Sequence, residues 1–554
     1  MTLKKSLLFA FFSGLLITLA FPPMTGNLLI FVGFVPLLFA LEERNYHKPF
    51  WTMFIAMCVF HYGANWWISS WQENTDPYLF ISGFAVGFGN PMMLLIPMYI
   101  FVMLRKRIGR DKSWALFPFI WTAYEWFHGL GDFSYPWLTI GNTQIFNTYW
   151  AQAADIFGSW GLSFMIISVN VLVLKLIYIM KEKNSEVKGW KASLRLPKVK
   201  RYALGIILLF LLPNIYGLIK VSQFDHYDLL KENKSIRVAV VQPNIDPWNK
   251  WAKMSAGDQI NLHQHLYDSL TAAVGHIDLA IWSETSIGYI DERFNTLHNM
   301  YPLIDNINKN ESSLLAGFVD IHRYKKAEDI PRTARYVPGD SSQRYDNFNS
   351  ALLVNPDIYE RGSPQLHHKS RLTPFAERLP FADYLIFAKE WFEWGVGISG
   401  WQKGKVQQPL MIRRANDSVL IGPVICIESI YSDCVSEFVR NGAEVLTVIT
   451  NDAWYNYTTG PEQHYYIAAI RAIESGRYIA RCANSGVSGF LSPTGQTISS
   501  LPQYERTALA EFIPLLDHKT MYVIWGDILP IFSAVLVIFA FVFAKRLGKK
   551  KEQD

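Results

Sequence analysis

The sequence predicts two parts of different class: a multi-pass α-helical membrane domain of about eight spans, and an α/β layered globule. Three observations predict it. Of 554 residues, 50% are hydrophobic and 15% aromatic but only 18% are charged, below the roughly 25% usual in soluble domains. Long apolar runs fill residues 1–221 and return once after 521, whereas 222–521 is mixed and polar. That polar block alternates short β-branched runs with helix-like stretches, the pattern of layered α/β folds. The same figures exclude other classes. A net charge of +5 with this apolar fraction does not describe a disordered chain, and 4 Cys cannot frame a disulfide scaffold.

A membrane span takes roughly 20 predominantly apolar residues. The candidates are Leu7–Phe21, Asn27–Leu41, Phe50–Ser70, Tyr78–Leu104, Trp114–His128, Gly161–Met180, Tyr202–Val221 and Tyr522–Ala544. The loops between them test the count, because cytoplasmic loops are rich in Lys and Arg. Lys4 and Lys5, then Arg44 and Lys48, then Arg105 to Lys112, then Lys181 to Arg201, and finally Lys545 to Lys551 fall on every second side. The intervening loops Trp71–Pro77 and Gly129–Trp160 hold neither Lys nor Arg. Both termini are therefore expected inside, and the polar block, which follows seven spans, outside. Lys4-Lys5, the first apolar run and Ala20 also fit a signal peptide, but Phe21-Pro22-Pro23 is a poor cleavage context, so the run is expected to stay as a span. Two polar groups, Asn65 and Glu125, stand at membrane depth and are expected to join helices.

In the polar block, strands are expected at Ile236–Val241, Asp278–Trp282, Ser313–Phe318, Ala351–Val354, Ser418–Cys426 and Glu444–Ile449, with helices at Gly257–Val274 and Glu462–Ala483. Domain boundaries follow: 1–221 membrane domain, 222–521 extracytoplasmic catalytic domain, 522–554 last span and basic tail.

Several of these strands end in a reactive residue. Glu284 follows the second, Lys369 the fourth, and Cys426 closes the fifth. Sites gather at the carboxyl ends of strands in open α/β sheets. A thiolate attacks, an ammonium favours it and stabilises an oxyanion, and a carboxylate takes the proton. Taken singly, each has an ordinary alternative: a surface carboxylate, a surface ammonium, a small buried thiol. Cys434 and Cys482 read as packing residues. His367 and His368 are adjacent, so their rings point apart, and no HExxH or CxxC occurs; neither metal nor cofactor is expected. The basic residues lie on cytoplasmic loops, where lipid headgroups account for them, so nucleic acid is not an expected partner.

With Trp282-Ser283-Glu284-Thr285, Lys369 to Glu377, Gly422 to Glu428, Asn451-Asp452-Ala453-Trp454 and Arg471 to Arg477, the block resembles the nitrilase, or carbon–nitrogen hydrolase, superfamily. With the spans around it, nearly the full length resembles that superfamily's membrane-bound branch, the bacterial apolipoprotein N-acyltransferases. The resemblance implies an αββα sandwich and a Glu284–Lys369–Cys426 triad. It further implies accessory or substrate-binding roles for Glu377, Glu428, Gln242 and Trp251. Ile427 departs from the pattern, since some members carry Tyr after the nucleophile. The implied reaction moves an acyl chain from a phospholipid to Cys426, then to the α-amine of a diacylglyceryl-cysteine apolipoprotein. The implied location is the bacterial cytoplasmic (inner) membrane with the catalytic domain on its periplasmic face. Nothing in the sequence demands an oligomer, and a monomer is expected. Two other functions compete: a membrane-tethered amidase in which water takes the acyl group, and a non-catalytic scaffold. Finally, the aromatic stretch Phe381, Tyr384, Leu385, Ile386, Phe387, Trp391, Phe392, Trp394 and Trp401 is expected to dip into the bilayer interface and gate acyl-chain entry.

Overall fold

The computed structural model describes residues 1–69, 77–183, 196–291, 300–361, 364–385 and 400–553. Its contacts divide into two units, one of Met1–Leu130, Tyr135–Gln223 and Trp525–Asp554, the other of Gly131–Ser134 and Phe224–Ile524.

In the first unit each apolar run falls, within the described residues, on helical segments. Helices Leu3–Ala20, Val86–Ile108, Ala154–Glu182 and Pro197–Ser222 are long and apolar enough to cross a membrane, and Ile528–Ala544 is a shorter apolar helix. Eighteen residues at 1.5 Å each reach about 27 Å, close to the hydrocarbon thickness. The second run is broken into a turn at Asn27–Leu29 and helices Ile30–Gly33 and Val35–Glu43. The last apolar run begins later than its hydropathy suggests. Met521–Trp525 is a separate short helix, Gly526 takes φ 61°, and the long helix starts at Ile528. Tyr522 and Val523 are fully buried and belong to the second unit. Glu125 accepts hydrogen bonds from the Trp121 indole (2.9 Å) and the Ile140 amide (2.8 Å). Asn65 donates to the Tyr135 hydroxyl at 3.1 Å. Both polar groups thus tie chain segments together.

The second unit is built on fourteen strands among the described residues: β1 Ser235–Gln242, β2 Leu279–Trp282, β3 Tyr289–Asp291, β4 Ser313–Arg323, β5 Arg335–Val337, β6 Asp340–Val354, β7 Gln365–His368, β8 Leu410–Arg413, β9 Ser418–Ile425, β10 Val445–Thr450, β11 Ile479–Ala483, β12 Ser488–Leu491, β13 Thr497–Leu501 and β14 Thr507–Pro514. One sheet runs β14-β1-β2-β4-β6-β5, with β3 on β4 and β7 on β6; the other runs β13-β12-β11-β10-β9-β8. Strands β1, β2 and β4 are parallel, as are β9, β10 and β11.

Side chains two apart share a face of a strand, and this sorts the core into layers. Ile236, Val238, Val240, Leu279, Ile281 and Leu315 meet Ile421, Ile425, Val445, Ile449 and Cys482 of the other sheet in one buried cluster. Their alternates, Ala239, Val241, Ala280, Trp282, Leu314 and Ala316, pack instead on Ile260 and Tyr267 of helix Ala256–Val274 and on Leu303, Ile304 and Ile307 of helix Tyr301–Lys309. Helices Ser432–Arg440 and Gly460–Ser475 cover the second sheet. The result is the expected αββα sandwich. A slip of one residue in β1 would exchange its two buried faces, so both layers fix its register.

All six expected strands are present. The expected helix Glu462–Ala483 is two elements: it stops at Ser475, where Gly476 adopts a left-handed cap (φ 63°), and Ile479–Ala483 becomes the buried strand β11. Four residues of the loop after Trp114–His128 are stitched into this unit. Asp132 accepts from the Phe381 amide (2.8 Å) and from the Lys403 ammonium, Phe133 packs on Phe381, and the Ser134 carbonyl accepts from the Tyr431 hydroxyl (3.1 Å).

Candidate active site

The carboxyl ends of β2, β9 and β10 deliver Glu284, Cys426 and Asn451, and the end of β7 delivers Lys369. Two of them arrive at sharp turns. Cys426 leaves its strand with φ 49°, and Thr285, next to Glu284, has φ 54°. Such backbones cost of order 1–3 kcal/mol each and persist only where the surroundings hold them. Gly317 of β4 makes the Glu284 turn possible: a Cβ there would lie 2.4 Å from the Thr285 nitrogen and 2.6 Å from the Glu284 Cα.

Lys369 is 1% exposed and lies between two carboxylates. Its Nζ donates to Glu284 Oε1 at 3.2 Å and to Glu377 Oε1 at 2.8 Å. Asn349 of β6 bridges the same pair, donating to Glu284 Oε1 (2.6 Å) and Glu377 Oε1 (3.0 Å). The outer oxygens are held by backbone: Glu284 Oε2 accepts from the Asn451 amide (3.0 Å) and Glu377 Oε2 from the Thr373 amide (2.7 Å). Burial opposes a charge on Lys369, but Glu284 and Glu377 outweigh it and hold the ammonium well above its ordinary pKa.

Cys426 is half-buried as a residue, and its thiol feels Glu284, Lys369, Asp452 and Glu377. Burial and then Glu284 push its pKa up, and Lys369 opposes them without prevailing. The ammonium does favour the thiolate, as the sequence suggests, but burial and the Glu284 carboxylate outweigh it, with Asp452 and then Glu377 adding smaller contributions of the same sign. The thiol therefore rests protonated, and any attack by it would need a base at that moment. Iodoacetamide alkylation of Cys426 should accordingly keep rising about tenfold per pH unit through pH 9, because each unit only adds thiolate. Peptide mass spectrometry measures it, and a plateau below pH 7 would mean that Lys369 dominates.

The other residues singled out in the sequence sit as follows. Glu377 is in the cluster. Glu428 is fully buried and ties the two motif ends together. Its Oε1 accepts from the Ser370 amide (2.7 Å) and hydroxyl (2.8 Å), and its Oε2 accepts from the Ile425 amide (2.8 Å). Burial raises its pKa, but His367 and these amides bring it below the ordinary value. Gln242 is spent elsewhere, donating to the Pro502 and Glu505 carbonyls and accepting from Ser488. Trp251 lies on helix Pro247–Ala252, but its side chain is outside the described residues. Of the aromatic stretch, Phe381 and Tyr384 are exposed, whereas Trp401 is buried with Val319 and Leu372. Ile386, Phe387, Trp391, Phe392 and Trp394 lie outside the described residues. His367 approaches Glu428 and His368 approaches Asp320, so the two rings do point apart. All four cysteines are free thiols, with Cys434 and Cys482 buried.

Sequence reasoning missed Asn349 and Lys250. Lys250 is buried and donates to the Glu284 carbonyl (3.1 Å) and the Thr285 hydroxyl (2.8 Å), so it supports the turn that carries Glu284. Burial lowers its pKa to about 7. A lysine preceding Trp251 and an asparagine in a strand carry no local signal of either role.

Comparison with known proteins gives the family of the chain. Residues 13–172 match the model of the apolipoprotein N-acyltransferase N-terminal domain, and residues 237–515 match that of the carbon–nitrogen hydrolases. An apolipoprotein N-acyltransferase of Chlorobaculum tepidum is 31% identical over 541 residues, covering 95% of this chain and 94% of the relative. One from Haemophilus influenzae is 27% identical over 534 residues, covering 96% and 93%. Among solved structures, a carbon–nitrogen hydrolase from Helicobacter pylori G27 overlays with a TM-score of 0.36 at 14% identity, covering 53% of this chain and 94% of that one. With both halves matched and a relative alike from end to end, the chain belongs to the apolipoprotein N-acyltransferase family.

Proposed function

We propose that this membrane protein transfers a fatty acyl chain from a phospholipid to the N-terminal amine of diacylglyceryl-cysteine apolipoproteins, with Cys426 as nucleophile. The observation that carries the chemistry is Lys369 held between Glu284 and Glu377 within electrostatic reach of Cys426. In the first half-reaction the Cys426 sulfur attacks the ester carbonyl while Glu284 takes the thiol proton. The Lys369 ammonium stabilises the oxyanion, a large term in acyl transfer. The ester C–O bond breaks, Glu284 returns the proton to the glycerol oxygen, and a lysophospholipid leaves. In the second half the substrate amine attacks the thioester and loses a proton to Glu284. The C–S bond breaks, and Cys426 regains its proton. Glu377 keeps its hydrogen bond to the Lys369 ammonium and helps hold it charged. A thioester stores the acyl group's reactivity, so this scheme calls for no cofactor.

The proposed setting is the cytoplasmic membrane, crossed about eight times, with the catalytic unit on the outer face. Two features support that side. The Lys- and Arg-rich loops alternate with loops that have none. Asp132 and Ser134, from a loop without Lys or Arg, are part of the catalytic unit, so that loop and the globule share one side.

The test uses the full chain in detergent micelles with a phospholipid labelled in its acyl chain. A hydroxylamine-labile acyl adduct should appear on Cys426, and adding a diacylated lipopeptide should discharge it to the peptide amine. Cys426→Ala should form neither adduct nor product. Label released as free fatty acid at one rate, with or without lipopeptide, would point to a hydrolase instead.

A further inference from the structure

Behind the nucleophile lies a buried chain of side chains that the two half-reactions do not use. Ser429 Oγ stands 2.7 Å from His464 Nε2, and His464 Nδ1 stands 2.8 Å from Asp452 Oδ1. Asp452 also accepts from the Thr450 hydroxyl (2.9 Å) and from Arg481 Nη2 (2.7 Å). The order serine, histidine, aspartate is that of a hydrolase triad, but Ser429 is 1% exposed. The chain ends instead on the nucleophile's own backbone. The Cys426 carbonyl oxygen accepts from Ser429 Oγ at 2.8 Å and lies 3.2 Å from His464 Nε2. Gly486 leaves room for this arrangement, since a Cβ there would meet Asp452 Oδ2 at 2.5 Å.

A planar trans peptide points its C=O and N–H in opposite directions. The Cys426 carbonyl is drawn towards Ser429 and His464, so the N–H of the same peptide, that of Ile427, is aimed the other way. Ile427 sits in the first turn of the helical segment Cys426–Ile430, where an amide has no acceptor within the helix. We propose that Ser429, His464 and Asp452 are positioning residues: they anchor the Cys426 carbonyl, and thereby hold the thiol and aim the Ile427 N–H at the oxyanion that forms beside Lys369. This rests on Cys426 being the nucleophile.

The protons in the relay follow from its charges. Burial opposes the Asp452 charge, but Arg481 and His464 outweigh it and hold the carboxyl near about 2. The proton between Asp452 and His464 therefore belongs to Nδ1. With a neutral ring, Nε2 is an acceptor and competes with the Cys426 carbonyl for the single Ser429 proton. With a protonated ring, Nε2 donates, and the carbonyl keeps Ser429 as well. Burial first, then Arg481 at 3.1 Å from Nδ1, lower the ring's pKa against the pull of Asp452. Arg481 and Asp452 are charged groups that face the ring among the described residues, and Ser429 and the Cys426 carbonyl face it as dipoles. The ring gains its second proton only on the acid side of the ordinary imidazole range, and the grip on Cys426 changes there.

The experiment compares kcat and KM of the full chain in micelles for Ser429→Ala, His464→Gln and His464→Leu, with Cys426→Ala alongside. Losing a direct oxyanion donor costs roughly 10²–10³ in kcat. Misaiming one should cost roughly tenfold in Ser429→Ala and His464→Leu, with KM within about twofold, because only the transition state feels it. His464→Gln, whose amide still donates, should fall between these and the wild type. It should also lose a step in kcat on the acid side that the wild type shows. Should His464→Leu fail to fold, Ser429→Ala reads the same quantity. Wild-type kcat in Ser429→Ala and His464→Gln beside an inactive Cys426→Ala would overturn the relay alone. So would equal changes in kcat and KM with the acid-side step intact, the mark of a merely structural defect. Transfer persisting in Cys426→Ala would instead overturn the nucleophile.

Discussion

Replacing Lys369 with Met is expected to abolish acyl transfer and to cost about 3–5 kcal/mol of fold stability, the usual result of stranding buried charges. Two carboxylates, Glu284 and Glu377, would then share one cation-free cavity, with Asn349 as the donor that bridges them. In micelles the melting temperature should drop on the order of 10 °C. Adding Glu377→Gln to Lys369→Met removes one of the stranded charges. The double variant should regain part of the lost stability and none of the activity, because the oxyanion still lacks its cation. An unchanged melting temperature in the single variant would mean that the two carboxylates hold a proton between them.

Glu284→Gln should separate chemistry from folding in the opposite way. The shape is kept and Lys369 retains Glu377, so the loss of stability should be roughly 1–2 kcal/mol. It comes from one amide N–H₂ forced against either the Asn451 amide or the Lys369–Asn349 donors. Formation of the Cys426 thioester should slow by roughly 10²–10⁴, the range for a general base in the transition state. The protonated resting thiol makes this loss large, since no thiolate waits to react without help. Single-turnover acylation with labelled phospholipid measures it. A rate within threefold of wild type, on the order of the scatter in such data, would move the base to Glu377.

Much of this was legible before any coordinates. The six β-branched runs form buried strands because burial on both faces demands continuous apolar sequence; Glu284 and Cys426 stand out because they close such runs, and Lys369 because it stands in the basic cluster after the fourth. What stayed hidden depends on contacts distant in sequence. Asn349 is an ordinary polar residue within a long strand until β6 and β7 lay it between two carboxylates. His464 reads as one polar position of an amphipathic helix, and Ser429 as part of a turn. Only the parallel packing of β9, β10 and β11 brings them onto the Cys426 carbonyl. Gly476 misled for a different reason: a glycine inside a helical pattern costs only about 1 kcal/mol, too little to mark an end without the left-handed cap in view. At the last apolar run, hydropathy cannot see that Tyr522 and Val523 fill a protein core rather than lipid.

The four residues Gly131–Ser134 make the globule a borrower. A severed fragment beginning at Phe224 would have the Tyr431 hydroxyl without its carbonyl and Lys403 without its counter-ion. Autonomous expression of the strand-bearing unit is thus an unpromising route to a soluble enzyme, unless the missing tetrapeptide is grafted back. Chain order adds a constraint: Gly131–Ser134 is translated before any strand of the globule, which reaches its finished form only when that tetrapeptide is free to join it.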